Sequence, residues 1–151
     1  MKKSAKAFTI MELIMVVVLM GIFSAIAIPR INFAIIRKSE SSATSELIVA
    51  GLRRTRRLAI SNAAENLEGY RFEMEGSSPY SGFTIKNGVD NLIVDTFTFD
   101  SDVAVTNDNE FNFGPLGNLL NADTRIDVAA EGRSFAISVV PATGMIKCVK
   151  N

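Results

Sequence analysis

The sequence contains no histidine, no tryptophan and a single cysteine, Cys148. One cysteine excludes an intramolecular disulfide, and without histidine a Cys/His metal site is effectively excluded. The lack of histidine also removes the commonest general base, and the chain has neither a glycine-rich phosphate loop nor a Gly-x-Ser-x-Gly motif. We therefore predict that the protein is not an enzyme and that it holds no cofactor and no metal.

Charge of one sign is also lacking, because 16 Lys and Arg residues balance 16 Asp and Glu residues. Lys2, Lys3 and Lys6 all precede residue 8, so the rest of the chain is mildly acidic. Such a balance gives no general attraction to nucleic acid. The length of 151 residues is enough for one domain and an N-terminal segment.

What the chain does have is an apolar segment, residues 8–29, which contains one carboxylate, Glu12, and ends at Pro29. As a helix, Phe8–Ile28 would extend over about 31 Å, close to the hydrocarbon core of a bilayer, about 30 Å. The lysines before it should stay on the cytoplasmic side. A lone carboxylate in such a helix costs about 2.5–3.5 kcal/mol and usually marks a function. The segment is thus predicted to be a transmembrane helix.

Two ordinary interpretations of this segment are a secretory signal, with Ala25–Ala27 as the cleavage site, and a plain membrane anchor. Neither accounts for Glu12 or for the amphipathic pattern after Pro29. The run Lys6–Leu13, KAFTIMEL, resembles the signature of type IV prepilins, in which a short basic leader precedes a Phe-Thr-Leu-Ile-Glu-Leu-like run. This third interpretation explains both features.

The prepilin resemblance implies that residues 1–7 are a leader peptide and that the helix of residues 8–29 also forms the filament core. A prepilin peptidase and methyltransferase would cut between Ala7 and Phe8 and methylate the new amino group of Phe8; Ala7 stands where the family usually has Gly. Glu12 would pair with the amino group of Phe8 in a neighbouring subunit during assembly, and Pro29 would kink or locally melt the helix. The implied location is the inner membrane, crossed once with the C-terminal domain in the periplasm, and then the pilus or pseudopilus.

Residues 30–66 are predicted to be the amphipathic second half of the same helix. Ile48, Leu52, Thr55 and Ala59 recur at helical spacing and form an apolar stripe. Arginines flank this stripe at positions 53, 54, 56 and 57. The favoured interpretation is a solvated or acid-paired face; the alternatives are contact with acidic neighbours in a filament or with DNA phosphates.

Residues 67–151 are predicted to be a β-rich globular domain, because apolar residues alternate with period two between turn residues. The alternating sets are Tyr70, Phe72, Met74; Phe83, Ile85; Ile93, Phe97, Phe99; Phe111, Phe113; Ile126, Val128; Phe135, Ile137, Val139; and Met145–Val149. The predicted fold is α+β, a long pilin-like N-terminal α-helix packed against antiparallel β-sheet.

Cys148 is expected to be buried. An oxygen-rich cluster is interpreted as a polar loop rather than a calcium site: Asp100, Asp102, Asn107, Asp108, Asn109 and Glu110.

Three later segments, Leu52–Asn62, Phe111–Gly117 and Phe135–Lys147, resemble the GspH/FimT class of minor pseudopilins and pilins. That likeness implies a structural subunit near the tip of a type II secretion pseudopilus or a type IV pilus. Its partners would be other pilin or pseudopilin subunits. One alternative is a FimT-like pilus subunit that captures DNA, with Lys147 and Lys150 as contacts; the other is a major pilin.

Overall fold

The computed structural model describes residues 9–27, 33–99, 102–130 and 132–151. Within them the chain forms two helices, α1 (Ile10–Ala27) and α2 (Phe33–Ser61). It also forms eight strands: β1 (Tyr70–Glu75), β2 (Gly82–Asn87), β3 (Ile93–Thr98), β4 (Ala104–Asn107), β5 (Glu110–Phe113), β6 (Arg125–Ala130), β7 (Arg133–Val140) and β8 (Met145–Lys150). By number of elements the fold is therefore mostly β.

The strands make two four-stranded sheets. Sheet A has the order β3-β2-β1-β5 and sheet B the order β4-β6-β7-β8. All the pairings are antiparallel, which matches the short turns that separate the strands in sequence. The chain divides into a first unit that contains α1 and a second unit, Ala34–Asn151, that contains both sheets.

The hydrophobic core lies in the second unit and is rich in phenylalanine. Phe72, Phe83, Phe111 and Phe113 are all fully buried. The Phe72 and Phe83 rings stack with centroids 4.5 Å apart, and Phe111 meets Phe72 edge-on at 6.1 Å. Such aromatic pairs contribute about 0.5–1.5 kcal/mol each beyond their burial.

Helix α2 contributes its apolar stripe to this core. Ile48, Leu52, Thr55 and Ala59 are each 0% exposed, so the helical spacing correctly predicted the buried face. Gly51 allows the closest approach to sheet A, because a Cβ there would lie 2.7 Å from the Phe83 ring and 2.9 Å from the Phe72 ring. The helix is thus seated directly on the phenylalanine cluster.

The predicted fold class is wrong in its main feature, a single long N-terminal helix packed on a sheet. The structure has two separate helices, of 18 and 29 residues, and α2 is the helix that contacts the core. Helix α1 is described as far as Ala27, and Pro29 with its immediate neighbours lies outside the described residues.

The predicted location is also wrong. Among the described residues, no helix combines the length and the apolar character needed to cross a membrane. This finding contradicts a single-pass inner-membrane protein with a periplasmic C-terminal domain.

Two details of the β-region also differ from expectation. The polar cluster is not simply a loop, because Ala104–Asn107 forms β4 and buries Val105, while Glu110 begins β5. Ile93 is 56% exposed instead of sharing the buried face of Phe97. The cause is a register shift between Ile85 and Lys86, which moves Ile93 to the face of Lys86.

Replacing Gly51 by alanine tests the seating of α2. In an isolated helix this change would stabilise the helical conformation by about 1 kcal/mol. Here the added methyl meets two buried rings, and we expect a net loss of about 1–3 kcal/mol in the free energy of unfolding. Chemical denaturation of the purified chain measures it.

Ala50→Gly is the matched control, because Ala50 is exposed on the same helix. It should cost only the helix-propensity difference, about 1 kcal/mol. If Gly51→Ala stabilised the protein, the close seating of α2 on sheet A would be incorrect.

Candidate interaction surfaces

The first candidate surface is α1, which is apolar on every side. Each large apolar side chain from Ile10 to Phe23 is between 42% and 80% exposed. A methyl group added at Gly21 would meet nothing within 4 Å. Because a helix that is apolar all round is normally buried, we expect a partner to bury this surface.

Glu12, the predicted assembly residue, lies in the first turn of α1 and has a local role there. Thr9 precedes the helix; its carbonyl oxygen accepts from the Glu12 N–H at 3.1 Å and its Oγ1 lies 3.3 Å from the same nitrogen. Thr9 and Glu12 thus have the spacing of a capping box, in which Glu or Gln follows the N-cap by three residues. This signal was present in the sequence but was not part of the prediction.

The Glu12 carboxylate makes no hydrogen bond or ion pair to another described residue. It is therefore available to a cation from elsewhere, and its negative charge is also favourable near a helix N-terminus. The other residues predicted for processing and assembly, Ala7, Phe8 and Pro29, lie outside the described residues.

The second candidate surface is a groove of about 750 Å³ in the second unit, which we call the arginine groove. Its α2 side is formed by Arg53, Arg56, Arg57, Ile60 and Ser61, and its other side by Thr143, Gly144, Met145 and Ile146. A smaller pocket of about 420 Å³ adjoins it at Arg53 and is lined by Glu46, Val49, Ala50 and Cys148. Ligand sites in proteins have volumes of about 300–1,000 Å³.

Two turns hold one end of the arginine groove in place. Arg56 Nε donates to the Gly117 carbonyl at 3.1 Å, which ties α2 to the turn after β5. Gly144 N donates to the Val140 carbonyl at 2.7 Å and closes the β7–β8 turn. A Cβ at Gly144 would overlap the Gly117 carbonyl oxygen, so the two turns are in direct contact.

The four arginines at positions 53, 54, 56 and 57 of α2 have different environments. Arg54 forms an ion pair with Asp95 of β3, and Arg56 donates a hydrogen bond to the Gly117 carbonyl. Arg53 and Arg57 are exposed and make no hydrogen bond or ion pair to another described residue. The sequence could not separate these roles, because they depend on which strand lies on each side of the helix.

Lys147 and Lys150, the predicted DNA contacts, lie on opposite faces of β8. Lys150 pairs with Phe135 and so lies on the face that holds the core, whereas Lys147 pairs with Ser138 on the outer face. Both are exposed. Cys148 is exposed rather than buried, because β8 lies at the edge of sheet B.

The carboxylates around β4 and β5 act as hydrogen-bond acceptors for the backbone. Asp108 Oδ2 accepts from the N–H groups of Thr124 and Arg125 at 2.6 and 2.8 Å, and Asp123 Oδ2 accepts from Glu110 at 3.2 Å. Among the described residues, no three metal-ligating side chains are placed to share an ion. Asp100 lies outside those residues.

Comparison with known proteins adds no relative. No family model matches the sequence, and no curated protein and no solved structure matches it significantly. The resemblance to type IV prepilins and to the GspH/FimT class therefore stays a prediction from the sequence motifs.

Gly144→Ala should destabilise the end of the arginine groove. The residue has φ +61°, and its Cβ would overlap a backbone oxygen and lie 2.9 Å from Arg56 Nε. We expect a loss of about 2–4 kcal/mol in unfolding free energy from the backbone strain and the overlap together. Thermal or chemical denaturation is the measurement.

Gly76→Ala separates the two causes, because Gly76 has φ +86° but only Ser81 Oγ close by, at 3.3 Å. It should cost about 1–2 kcal/mol. Equal losses for the two variants would argue against the contact between the turns at Gly117 and Gly144.

Proposed function

We propose that this protein is a structural filament subunit that assembles through α1, of the minor pilin or pseudopilin type that its motifs resemble. On this proposal it belongs to a type II secretion pseudopilus or a type IV pilus, in a position near the tip. Its partners are the helices of other pilin-like subunits, and a prepilin peptidase and methyltransferase process it at Ala7 and Phe8.

The observation that carries this proposal is the exposure of α1 on all sides. The second unit has its own buried core, whose residues all belong to that unit. Burying even six of the α1 side chains between neighbouring subunits would contribute on the order of 10 kcal/mol before the costs of association. Burial of the α1 side chains between neighbouring subunits is therefore a strong driving force for assembly.

Glu12 supplies the specificity that apolar contacts lack. When α1 is surrounded by other helices, its carboxylate leaves water and needs a cation. The free amino group of Phe8 in a neighbouring subunit is the cation that the prepilin resemblance suggests. A charge pair in an apolar interface fixes one register, because every other register leaves both charges unpaired.

The DNA-capture alternative receives less support from the described residues. For DNA capture, Lys147 and Lys150 would have to act together, but they lie on opposite faces of β8. A major pilin would use α1 in the same way as a minor one. The abundance of the protein in sheared filaments separates these two, since a minor subunit is scarce there.

Glu12→Gln tests the assembly role of the Glu12 charge. Thr9 still caps the backbone N–H of residue 12 in this variant, so the start of α1 should be retained while the charge is lost. We expect incorporation into sheared filaments to fall about tenfold or more, because the partner's cation is left unpaired in an apolar interface. Quantitative immunoblotting of the filament fraction against the cell fraction measures this.

Glu65→Gln is the control, because Glu65 is an exposed carboxylate of the second unit. It should leave incorporation unchanged. Normal incorporation of the Glu12→Gln variant would contradict the charge-pair role. Absence of the protein without either substitution from every filament fraction would contradict the proposed function.

A further inference from the structure

The free edge of β8 has unsatisfied backbone groups. Asn151 N donates to the Ser134 carbonyl at 2.9 Å, and Val139 N donates away from β8, to Thr124, at 2.8 Å. By the alternation of an antiparallel ladder, the N–H and C=O groups of Ile146, Cys148 and Lys150 point away from β7. No described residue pairs with them.

The opposite edge of sheet B differs, since other residues cover it. Tyr80 N donates to the Val105 carbonyl at 2.8 Å, and the Tyr80 hydroxyl donates to the Asn107 carbonyl at 2.7 Å. Edge β5 of sheet A is covered as well, because Leu120 N donates to the Asn112 carbonyl at 2.8 Å. Natural sheets usually protect their edges in such ways, and β8 has no such cover among the described residues.

Beside the free edge runs the arginine groove. Val49 and Cys148 line the adjoining smaller pocket, and Ile60 and Met145 line the groove itself, so α2 and β8 run in opposite directions along them. Arg53 and Arg57 are four residues apart, about 6 Å along the helix. Alternate side chains on one face of a strand are about 6.8 Å apart. The two arginine positions therefore match successive same-face side chains of an added strand.

The charges indicate what such a strand would carry. Arg53 and Arg57 are unpaired among the described residues. Lys150 is exposed and lies on the face of β8 that holds the core. Glu46 is the acid that lines the smaller pocket. The lining also includes Val49, Ile60 and Ile146. A polypeptide backbone with acidic side chains satisfies both the edge groups and the arginines. A DNA backbone supplies no donors for the edge carbonyls.

We propose that the arginine groove and the free edge of β8 bind an extended acidic segment of a partner polypeptide. The segment adds to sheet B antiparallel to β8, with acidic residues at alternate positions facing Arg53 and Arg57. The site lies wholly in the second unit, so it is independent of the assembly role of α1.

The test uses the full chain in mild detergent and a fluorescent, end-capped octapeptide of four Thr-Glu repeats. Anisotropy titration should show saturable binding, and four Thr-Gln repeats should bind about tenfold more weakly. The double variant Arg53→Ala, Arg57→Ala should also weaken binding about tenfold, from the loss of two exposed charge contacts. Arg133→Ala, which removes a half-buried arginine of β7, is the control and should leave binding unchanged.

N-methylated peptides separate strand addition from simple charge attraction. Glutamates that face the groove lie opposite Ile146 and Cys148, so their N–H groups bond to β8, whereas the threonine N–H groups point away. Methylating the glutamate nitrogens should abolish binding, and methylating the threonine nitrogens should leave it intact.

Equal binding of both methylated peptides would overturn the proposal. So would a double-stranded DNA oligonucleotide that displaces the Thr-Glu peptide and loses its own affinity in the double arginine variant. The absence of any saturable binding of the Thr-Glu peptide at low salt would overturn it as well.

Discussion

The seating of α2 on sheet A determines the geometry of the second unit. Glycine at position 51 allows the helix backbone to approach the stacked Phe72 and Phe83 rings within van der Waals contact. The helix then has β3 on one side, where Arg54 reaches Asp95, and β8 on the other. A larger residue at position 51 would lift α2 and change the width of the arginine groove, so core packing and the surface site are physically coupled.

The two units differ in how their apolar residues are treated. In the second unit, the helix stripe and the alternating strand residues cover each other, and that core is complete. In the first, α1 exposes its apolar side chains on all sides. Burial against almost any apolar partner would lower the free energy of such a helix. Glu12, the single charge on α1, therefore has to supply the discrimination between partners.

Local patterns predicted a large part of the second unit. The helical spacing of Ile48, Leu52, Thr55 and Ala59 identified the buried face of α2, and the alternation around Phe72, Phe83 and Phe111 marked strands β1, β2 and β5. Strand β4 was missed because Val105 lies among Asp and Asn residues, which are typical of loops. The exposure of Ile93 depends on a bulge, which alternation alone does not reveal.

The candidate sites were less predictable, since they depend on tertiary neighbours. Cys148 was expected to be buried from its alternation with Ile146, but an edge strand has no neighbour to cover it. The different environments of Arg53 and Arg54 follow from the placement of β8 and β3 around α2. The error in the helix had a local cause: Pro29 was expected only to kink or locally melt one long helix, whereas the structure has two helices.

The most direct test of the filament-subunit account is the mature N-terminus of the protein in its native cells, from intact mass and N-terminal sequencing. The account predicts a chain that begins at Phe8 and is heavier by one methyl group, with α1 and Glu12 retained. A chain that begins after Ala27, at Ile28, would have lost α1 to an ordinary signal peptidase. That result would contradict assembly through this helix.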